Sequence, residues 1–292
     1  MKRFSTGIFC VCLLLFRTAP GRAQQPEPSP AQVPTGPRTT QPPPLPPSPP
    51  DVKLQDEGKI SFDPFLWFPN GQPTFDKGKG TTSTEASRIV LPGKSNYARG
   101  LRVSVPAGGH NALRVSYFDN KANGHVAAPT DLNLWSSGYT ARDPLSTSYN
   151  LRSLKLSYEY LTWPYPVASR RFRLKTLWQV QYLHIASGFS TPNSDGSLNT
   201  GNGAKNIILP TLGLGVTEYV SQQFRIDVNA SGFMLPHRSA LGDVDADLAY
   251  KFGRVELRGG LKGFYFKTSP NADFYMKGRL VGAFVGVRLY WN

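Results

Sequence analysis

Cysteine is nearly absent from this chain of 292 residues: the two present are Cys10 and Cys12. Both lie in a short apolar run, Ile8 to Phe16, which follows the basic pair Lys2-Arg3 and precedes Gly21-Arg22-Ala23. That is the layout of a secretory signal peptide over residues 1–23, cleaved after Ala23. Bulky Phe9 stands before Cys10, where a lipoprotein signal wants a small residue, so both thiols read as apolar filler. The mature chain then lacks cysteine, and export without a disulfide excludes the small stapled secreted domain. Long apolar runs are missing as well. Nothing beyond the leader approaches the roughly 18 residues of a membrane helix, so any span has to be built from strands. Acidic residues are scarce, 19 against 33 Lys and Arg. Loss of Lys2, Arg3, Arg17 and Arg22 with the leader lowers the formal charge from +14 to +10. For an exported chain this excess points to lipopolysaccharide or anionic solutes rather than nucleic acid. There is no Walker loop and no Rossmann glycine fingerprint, and no Ser-His-Asp or Cys-His arrangement in a recognisable local motif. No cofactor is expected.

What is present first is proline. Gln24 to Pro50 holds twelve of the 26 prolines, densest at Pro42-Pro43-Pro44 and Pro49-Pro50. Proline fixes φ and removes the amide donor, so this stretch joins neither a helix nor a sheet interior. Residues 24–56 are expected to form a disordered, largely polyproline II linker reaching up to ~80 Å. The alternative is a docking segment for an envelope partner.

From Lys59 onward the pattern has period two, and ten strands are predicted. In the last, Val281, Ala283, Val285, Val287, Leu289 and Trp291 share one face, while Leu280, Gly282, Phe284, Gly286, Arg288 and Tyr290 share the other. Val255, Leu257, Leu261 and Tyr265 alternate with Glu256, Arg258 and Lys262; Val244, Leu248, Tyr250 and Phe252 with Asp243, Asp245, Asp247 and Lys251. Phe224, Ile226 and Val228 alternate with Arg225, Asp227 and Asn229. The scheme repeats near 151–163 and 171–185, and further strands are expected near 60–68, 99–106, 112–119 and 206–220. Pro64 makes the first strand the least secure, and eight strands is the alternative count.

Alternation alone also describes a β-sandwich. The gaps argue otherwise. Those at 107–111, 167–170, 221–223 and 253–254 are tight, whereas 69–98, 120–150 and 186–205 are long. Strict sorting of short turns and long loops is the signature of a transmembrane β-barrel, with both termini on the periplasmic side. Aromatics near strand ends (Phe65, Trp67, Phe68, Trp163, Tyr165, Tyr219, Phe252, Tyr290, Trp291) suit interfacial girdles. The reading is an all-β, antiparallel, up-and-down transmembrane barrel over residues 57–292.

The final segment, Val281 to Trp291 followed by Asn292, resembles the terminal strand of bacterial outer-membrane β-barrel proteins. In that family an aromatic residue closes a strand with apolar residues at alternate positions. Val285, Val287, Leu289 and Trp291 match this pattern; Asn292 departs from it by adding a polar residue. The resemblance extends loosely over 58–292, including Leu156 to Pro164, toward uncharacterised small barrels. It implies recognition by the barrel-assembly machinery and residence among outer-membrane lipid and lipopolysaccharide.

Inward faces then carry charge: Asp63, Arg102, Arg114, Lys155, Glu159, Arg173, Lys175, Asp227, Asp243, Asp245, Asp247, Glu256, Arg258, Lys262 and Arg288. Opposite signs are expected to pair across neighbouring strands, with Gly213, Gly215, Gly260, Gly282 and Gly286 leaving room. The row Asp243, Asp245, Asp247 offers oxygen ligands for calcium, but a salt-bridge ladder fits its period-two spacing better, and no metal site is assigned. His125, His184 and His237 fall near the outer rim and His110 in a turn. His184 or His237 beside Asp243 or Asp195 would suit a rim hydrolase or protease; no catalytic residue is assigned. The first functional reading is a structural or anchoring barrel with a charge-filled lumen. The others are a narrow pore or small-solute binder preferring anions, the rim hydrolase, and a secreted sandwich that binds polysaccharide.

Overall fold

The computed structural model describes residues 59–77, 88–93, 97–167, 170–236, 238–269 and 274–291. The expected signal peptide (1–23), the proline-rich segment (24–56) and His237 lie outside the described residues. Fourteen strands follow in chain order: β1 (Ile60–Asn70), β2 (Thr74–Lys77), β3 (Ile89–Val90), β4 (Ala98–Pro106), β5 (Ala112–Ala127), β6 (Leu132–Leu134), β7 (Ser137–Tyr139), β8 (Pro144–Tyr165), β9 (Phe172–Pro192), β10 (Leu198–Tyr219), β11 (Phe224–Met234), β12 (Ala240–Phe252), β13 (Val255–Lys267) and β14 (Phe274–Trp291).

Ten of these form the wall: β1, β4, β5 and β8 to β14, each antiparallel to the next. The wall closes where β1 pairs with β14, Ile60 opposite Trp291 and Asn70 opposite Val281. The strand order is that of a closed ten-stranded barrel, which removes both the eight-strand count and the two-sheet sandwich. Pro64 is accommodated on one side only. The ladder from β1 to β4 runs through Asp63 and Pro64, whereas the ladder to β14 passes from Phe62 to Phe65 without them, as a residue lacking an N–H requires.

The outer surface is apolar where a soluble protein would be polar. Leu66, Leu113, Val115, Leu154, Leu156, Trp178, Val180, Ile208, Leu212, Leu214, Val244, Leu248, Leu257, Leu261 and Val285 are all exposed there. The aromatic expectation needs correcting. Phe68, Trp163, Tyr165, Phe252 and Trp291 do face outward, but Phe65, Trp67, Tyr219 and Tyr290 are buried inside. The pleat decides this: Phe65 and Trp67 share the parity of inward Asp63, not that of outward Leu66 and Phe68.

The wall is uneven. Strands β8, β9 and β10 run 22, 21 and 22 residues, against 11 to 13 for β11, β12 and β13. At about 3.3 Å per residue and the usual barrel tilt, the long strands rise roughly 50 Å, about twice the ~25 Å apolar band of such barrels. The stretches expected as long loops at 120–150 and 186–205 are therefore mostly strand. The β9–β10 connection closes over 193–197, where the Asn193 amide donates to the Ser197 carbonyl at 2.8 Å.

Above the band the chemistry of the two faces exchanges. Low on β8 the outward residues are Leu154 and Leu156, and the inward ones Lys155 and Glu159. Higher up the outward residues are Ser146, Ser148 and Asn150, and the inward ones Leu145, Tyr149 and Leu151. On β9 the outward series Trp178, Val180 gives way to His184, Gly188 and Ser190, while the inward series passes from Arg173 and Gln179 to Leu183, Ile185 and Phe189. The β8–β9 register is continuous through this exchange, Leu151 opposite Ile185 and Leu156 opposite Val180, and its one irregularity lies lower, between Leu161 and Trp163.

Two short hairpins meet the upper interior. β2 and β3 extend the sheet from the upper part of β14 and contribute Phe75, Ile89 and Leu91. β6 and β7 contribute Leu132, Leu134 and Tyr139, all buried. The β6–β7 turn places Trp135 and Ser136 at φ +52° and +70°, the two-residue geometry that matches strand twist. The Trp135 indole lies where Gly203 has no side chain, donates to Ser187 Oγ at 3.1 Å and meets the Phe75 ring at 5.7 Å.

Candidate functional site: the filled interior

The candidate site is the barrel interior, which separates into a charged half near the short turns and an apolar half near the long connections. Nearest the turns, Arg225 on β11 donates to Asp227 Oδ2 and to Glu256 Oε1, both at 2.7 Å. Thr217 caps Asp227 at 2.6 Å, and the Tyr290 hydroxyl donates to Glu256 at 2.8 Å. Cations also lie over rings: Arg173 and Arg225 over Tyr219 at 4.8 and 5.7 Å, and Lys251 over Tyr290 at 4.4 Å. Such stacking favours a cation that has lost water.

One layer deeper, Asp63 on β1 accepts from Arg258 and, at 3.2 Å, from Arg288. Arg258 also reaches Asp247 at 2.5 Å. Glu159 takes Arg114 at 2.6 Å and Lys175 at 3.5 Å. Above these, Asp243 is held between Lys155 at 2.9 Å and Lys262 at 2.5 Å. Asp245 accepts from Asn229 at 3.2 Å, with Arg102 at 4.0 Å. Among the described residues the Asp row thus engages ammonium and guanidinium groups rather than converging on an ion site. The glycines expected to make room do so partly. At Gly282 and Gly260 the missing side chain lets a neighbouring strand's backbone approach, Phe68 O in one case and Ala246 O in the other.

Where charge ends, rings begin. Arg102 lies over Phe65 and Phe284 at 4.9 and 5.2 Å, and Lys262 over Phe118 and Trp67 at 5.6 and 5.9 Å. Above them Trp67, Phe118 and Phe264 stack edge to face at 5.4 and 5.1 Å. Leu145, Leu151, Leu183, Ile185, Phe189, Phe266, Met276 and Leu280 continue the cluster to the hairpin residues. Within the plug Asp76 is buried, which opposes its ionisation. Bonds from Arg88 at 2.7 Å, Thr74 at 2.8 Å and Lys277 at 3.1 Å outweigh that and hold its carboxyl below the ordinary value.

Arg225 and Lys251 belong to the inner set as well; the alternation of their strands placed them beside Asp227 and Asp247, although they were not among the inward charges named from the sequence. The apolar plug was also missed, because its residues sit where the faces exchange. Over the described lower interior the cations (Lys59, Arg102, Arg114, Lys155, Arg173, Lys175, Arg225, Lys251, Arg258, Lys262, Arg288) outnumber the carboxylates (Asp63, Glu159, Asp227, Asp243, Asp245, Asp247, Glu256).

The rim pairing expected of histidine does not form among the described residues. His184 faces outward and bonds Asn206 Oδ1 at 2.7 Å; Asp195 is engaged by the Ser197 hydroxyl at 2.6 Å and amide at 2.9 Å. Asp243 faces inward to its two lysines. Alternation separates these groups: His184 has the outward parity of its strand and Asp243 the inward parity of its own. His125 meets Ser146 at 3.1 Å and His110 meets Arg170 at 3.0 Å. The terminal residues Val285, Val287 and Trp291 are exposed on the outer face of β14. Leu289 shares their parity and stands opposite Phe62 across the seam.

Among the described residues, cavities remain in the charged half. One of about 30 Å³ lies amid Arg102, Lys155, Asp243 and Lys262. Another, about 130 Å³, lies at the turn end between Arg173, Lys175, Arg225, Arg288 and Tyr290.

No family model and no curated protein matches the sequence. Solved structures do match in shape. The outer membrane protease OmpT from Escherichia coli superposes with a TM-score of 0.55 at 10% identity, over 80% of this chain and 97% of that one. The translocator domain of the autotransporter NalP from Neisseria meningitidis gives 0.41 at 11% identity, over 81% and 90%. The attachment invasion locus protein Ail of Yersinia pestis, in complex with the heparin analogue sucrose octasulfate, gives 0.35 at 9% identity, over 78% and 98%. At such identity the likeness to OmpT speaks for the fold and not for the activity, and the chain is a closed ten-stranded barrel of the outer-membrane type.

Proposed function

We propose that this protein is a closed bacterial outer-membrane barrel with a structural or anchoring role, its short turns and both termini in the periplasm. Supporting the membrane reading is the outward apolar band, which no soluble domain of this size exposes around its whole girth. Supporting closure is the filling of the interior along its length by ion pairs below and packed rings above. Ten strands enclose little more than their own side chains, and the apolar plug sets packed rings and aliphatic side chains across the described upper interior. In this reading residues 1–23 direct export, residues 24–56 tether the barrel to the periplasm, and Val285, Val287, Leu289 and Trp291 are read by the barrel-assembly machinery.

Planar-bilayer recording on the purified protein tests closure. No conductance steps are expected at any voltage; steady single-channel openings would sink the closed reading in favour of the narrow pore. Truncating Trp67 and Phe264 together to Ala is expected to introduce openings.

A further inference from the structure

Outward residues of β4, β5, β8, β9 and β10 stand opposite one another in transverse rows. Tyr117, Leu154, Tyr182 and Ile208 form the last row of the lipid-facing part. One step further from the short turns comes a charged row: Arg99, Asp119, Arg152, His184 and Asn206. At about 4.8 Å between strands this row is roughly 20 Å long. Lys121 follows, beside Asn150, Ala186 and Ala204. Beyond it the rows carry no carboxylate. Asn123, Ser148, Gly188 and Asn202 make one, and His125, Ser146, Ser190 and Thr200 the next.

The cations of this wall are only loosely matched. Lys121 and Arg152 share the Asp119 carboxylate at 3.4 and 3.7 Å, the second distance being too long for a hydrogen bond. Arg99, opposite Asp119, donates to the Tyr97 hydroxyl at 2.9 Å. The side chains of Lys121 and Arg152 are 59% and 48% exposed, so both offer donors to what lies outside. Further along the strands, two open depressions of about 410 and 500 Å³ adjoin and share Asn123, Ser148, Gly188 and Asn202. Each has the volume of a small-molecule site. Gly188 is their floor, since a side chain there would strike Asn202 Oδ1 and Ser148 Oγ.

Amides and hydroxyls both donate and accept without net charge, which matches the hydroxyls of a sugar. Along β5 and β8 the outward order is therefore apolar, charged, then neutral polar. That is the order of groups in one amphiphile: acyl chains, an anionic group, and sugars. Cations at a membrane boundary also snorkel with no particular ligand, but snorkelling gives no reason for the uncharged shelf and its depressions. We propose that this outward shelf binds one molecule of a phosphorylated glycolipid of the outer leaflet. Acyl chains lie against Tyr117, Leu154 and Ile208. Arg99, Lys121 and Arg152 take the phosphate in charge-assisted bonds, and the sugars rest over Gly188 among Asn123, Ser148 and Asn202. The site rests on the outer-membrane reading above and adds a specific lipid to it.

The test is native mass spectrometry of the full-length barrel, folded in neutral detergent and titrated with defined probes. These are rough lipopolysaccharide (acyl chains, phosphates and core sugars), diphosphoryl lipid A, phosphatidylglycerol, and the core oligosaccharide freed of lipid. One rough lipopolysaccharide per barrel is expected, bound at least tenfold tighter than phosphatidylglycerol or the free oligosaccharide. Arg99→Gln combined with Arg152→Gln is expected to weaken it at least tenfold. Gly188→Val, which fills the floor, is expected to remove its advantage over lipid A and leave lipid A unchanged. Arg279→Gln, an exposed cation beside the apolar face of β14, is expected to change neither. Equal affinity for lipopolysaccharide and phosphatidylglycerol, an equal loss in Arg279→Gln, or oligosaccharide binding as tightly as its lipid form overturns the proposal. Should Gly188→Val fail to fold, Asn123→Ala with Asn202→Ala takes its place. Heat-modifiable mobility is read on the same samples. A folded barrel without lipid preference refutes the site alone, whereas a wild-type chain with no fast-running band refutes the membrane reading beneath it.

Discussion

At the scale of single residues, Arg258 is the most heavily committed charge. It reaches Asp63 on β1 and Asp247 on β12 from its own place on β13. Removing one partner of a buried pair costs about 3–5 kcal/mol, because the remaining charges stay buried. Arg258→Ala is expected to lower the urea midpoint of the folded barrel accordingly, followed by loss of its fast-running band on unboiled gels. Lys205 shows the opposite imbalance. It sits on the projecting part of β10 above the apolar band, donates to the Ser269 carbonyl at 3.2 Å, and burial pushes its ammonium down to about 8. Its folded value lies below its unfolded one, so between pH 8 and 10.5 the unfolded chain holds more protons and stability rises with pH. Below pH 8 the penalty is fully present. Lys205→Met is expected to be more stable than the parent at pH 7 and to lose that rise, as unfolding midpoints across this range would record.

Among the elements, the three long strands β8, β9 and β10 explain which parts of the structure were legible in the sequence. Strand number, closure and the outward parity of the lower wall could be read because one face there is steadily apolar. The expected starts near 151 and ends near 185 fall where Leu151, Leu154 and Leu183, Ile185 reverse which face is apolar. A search for one continuous stripe stops at such a reversal, although the backbone runs on. The same reversal hid the plug, since Leu145, Phe189 and Phe75 looked like loop residues. Ion pairing across strands was foreseeable from parity, whereas the shape of the turn-end cavity depends on side-chain packing that no pattern encodes. Inserting one alanine between Tyr182 and Leu183 would shift every residue above it by one place. It is expected to turn Leu183, Ile185 and Phe189 outward and so abolish the heat-modifiable band, whereas inserting one alanine within 193–197, in the turn, would preserve it.

For the molecule as a whole, the decisive feature is that polar and apolar matter are arranged oppositely at its two ends. In the lower half lipid meets an apolar exterior around a charged filling, and in the upper half water meets a polar exterior around an apolar one. Each half is stable only in its own surroundings, which fixes how deeply the barrel sits. Tryptophan fluorescence quenched by lipids brominated at known depths is expected to place Trp163 and Trp178 in the bilayer and leave Trp135 unquenched. Quenching of Trp135 would mean a deeper seat than the reversal of faces allows. The seam between β1 and β14 adds a consequence of its own. Across it Asp63 meets Arg288 and Phe65 meets Phe284 at 6.1 Å, both on the inner face, away from lipid. A barrel latched in this way holds its seam shut against the lipid: once the first and last strands of the wall have met, the door between them is bolted from within.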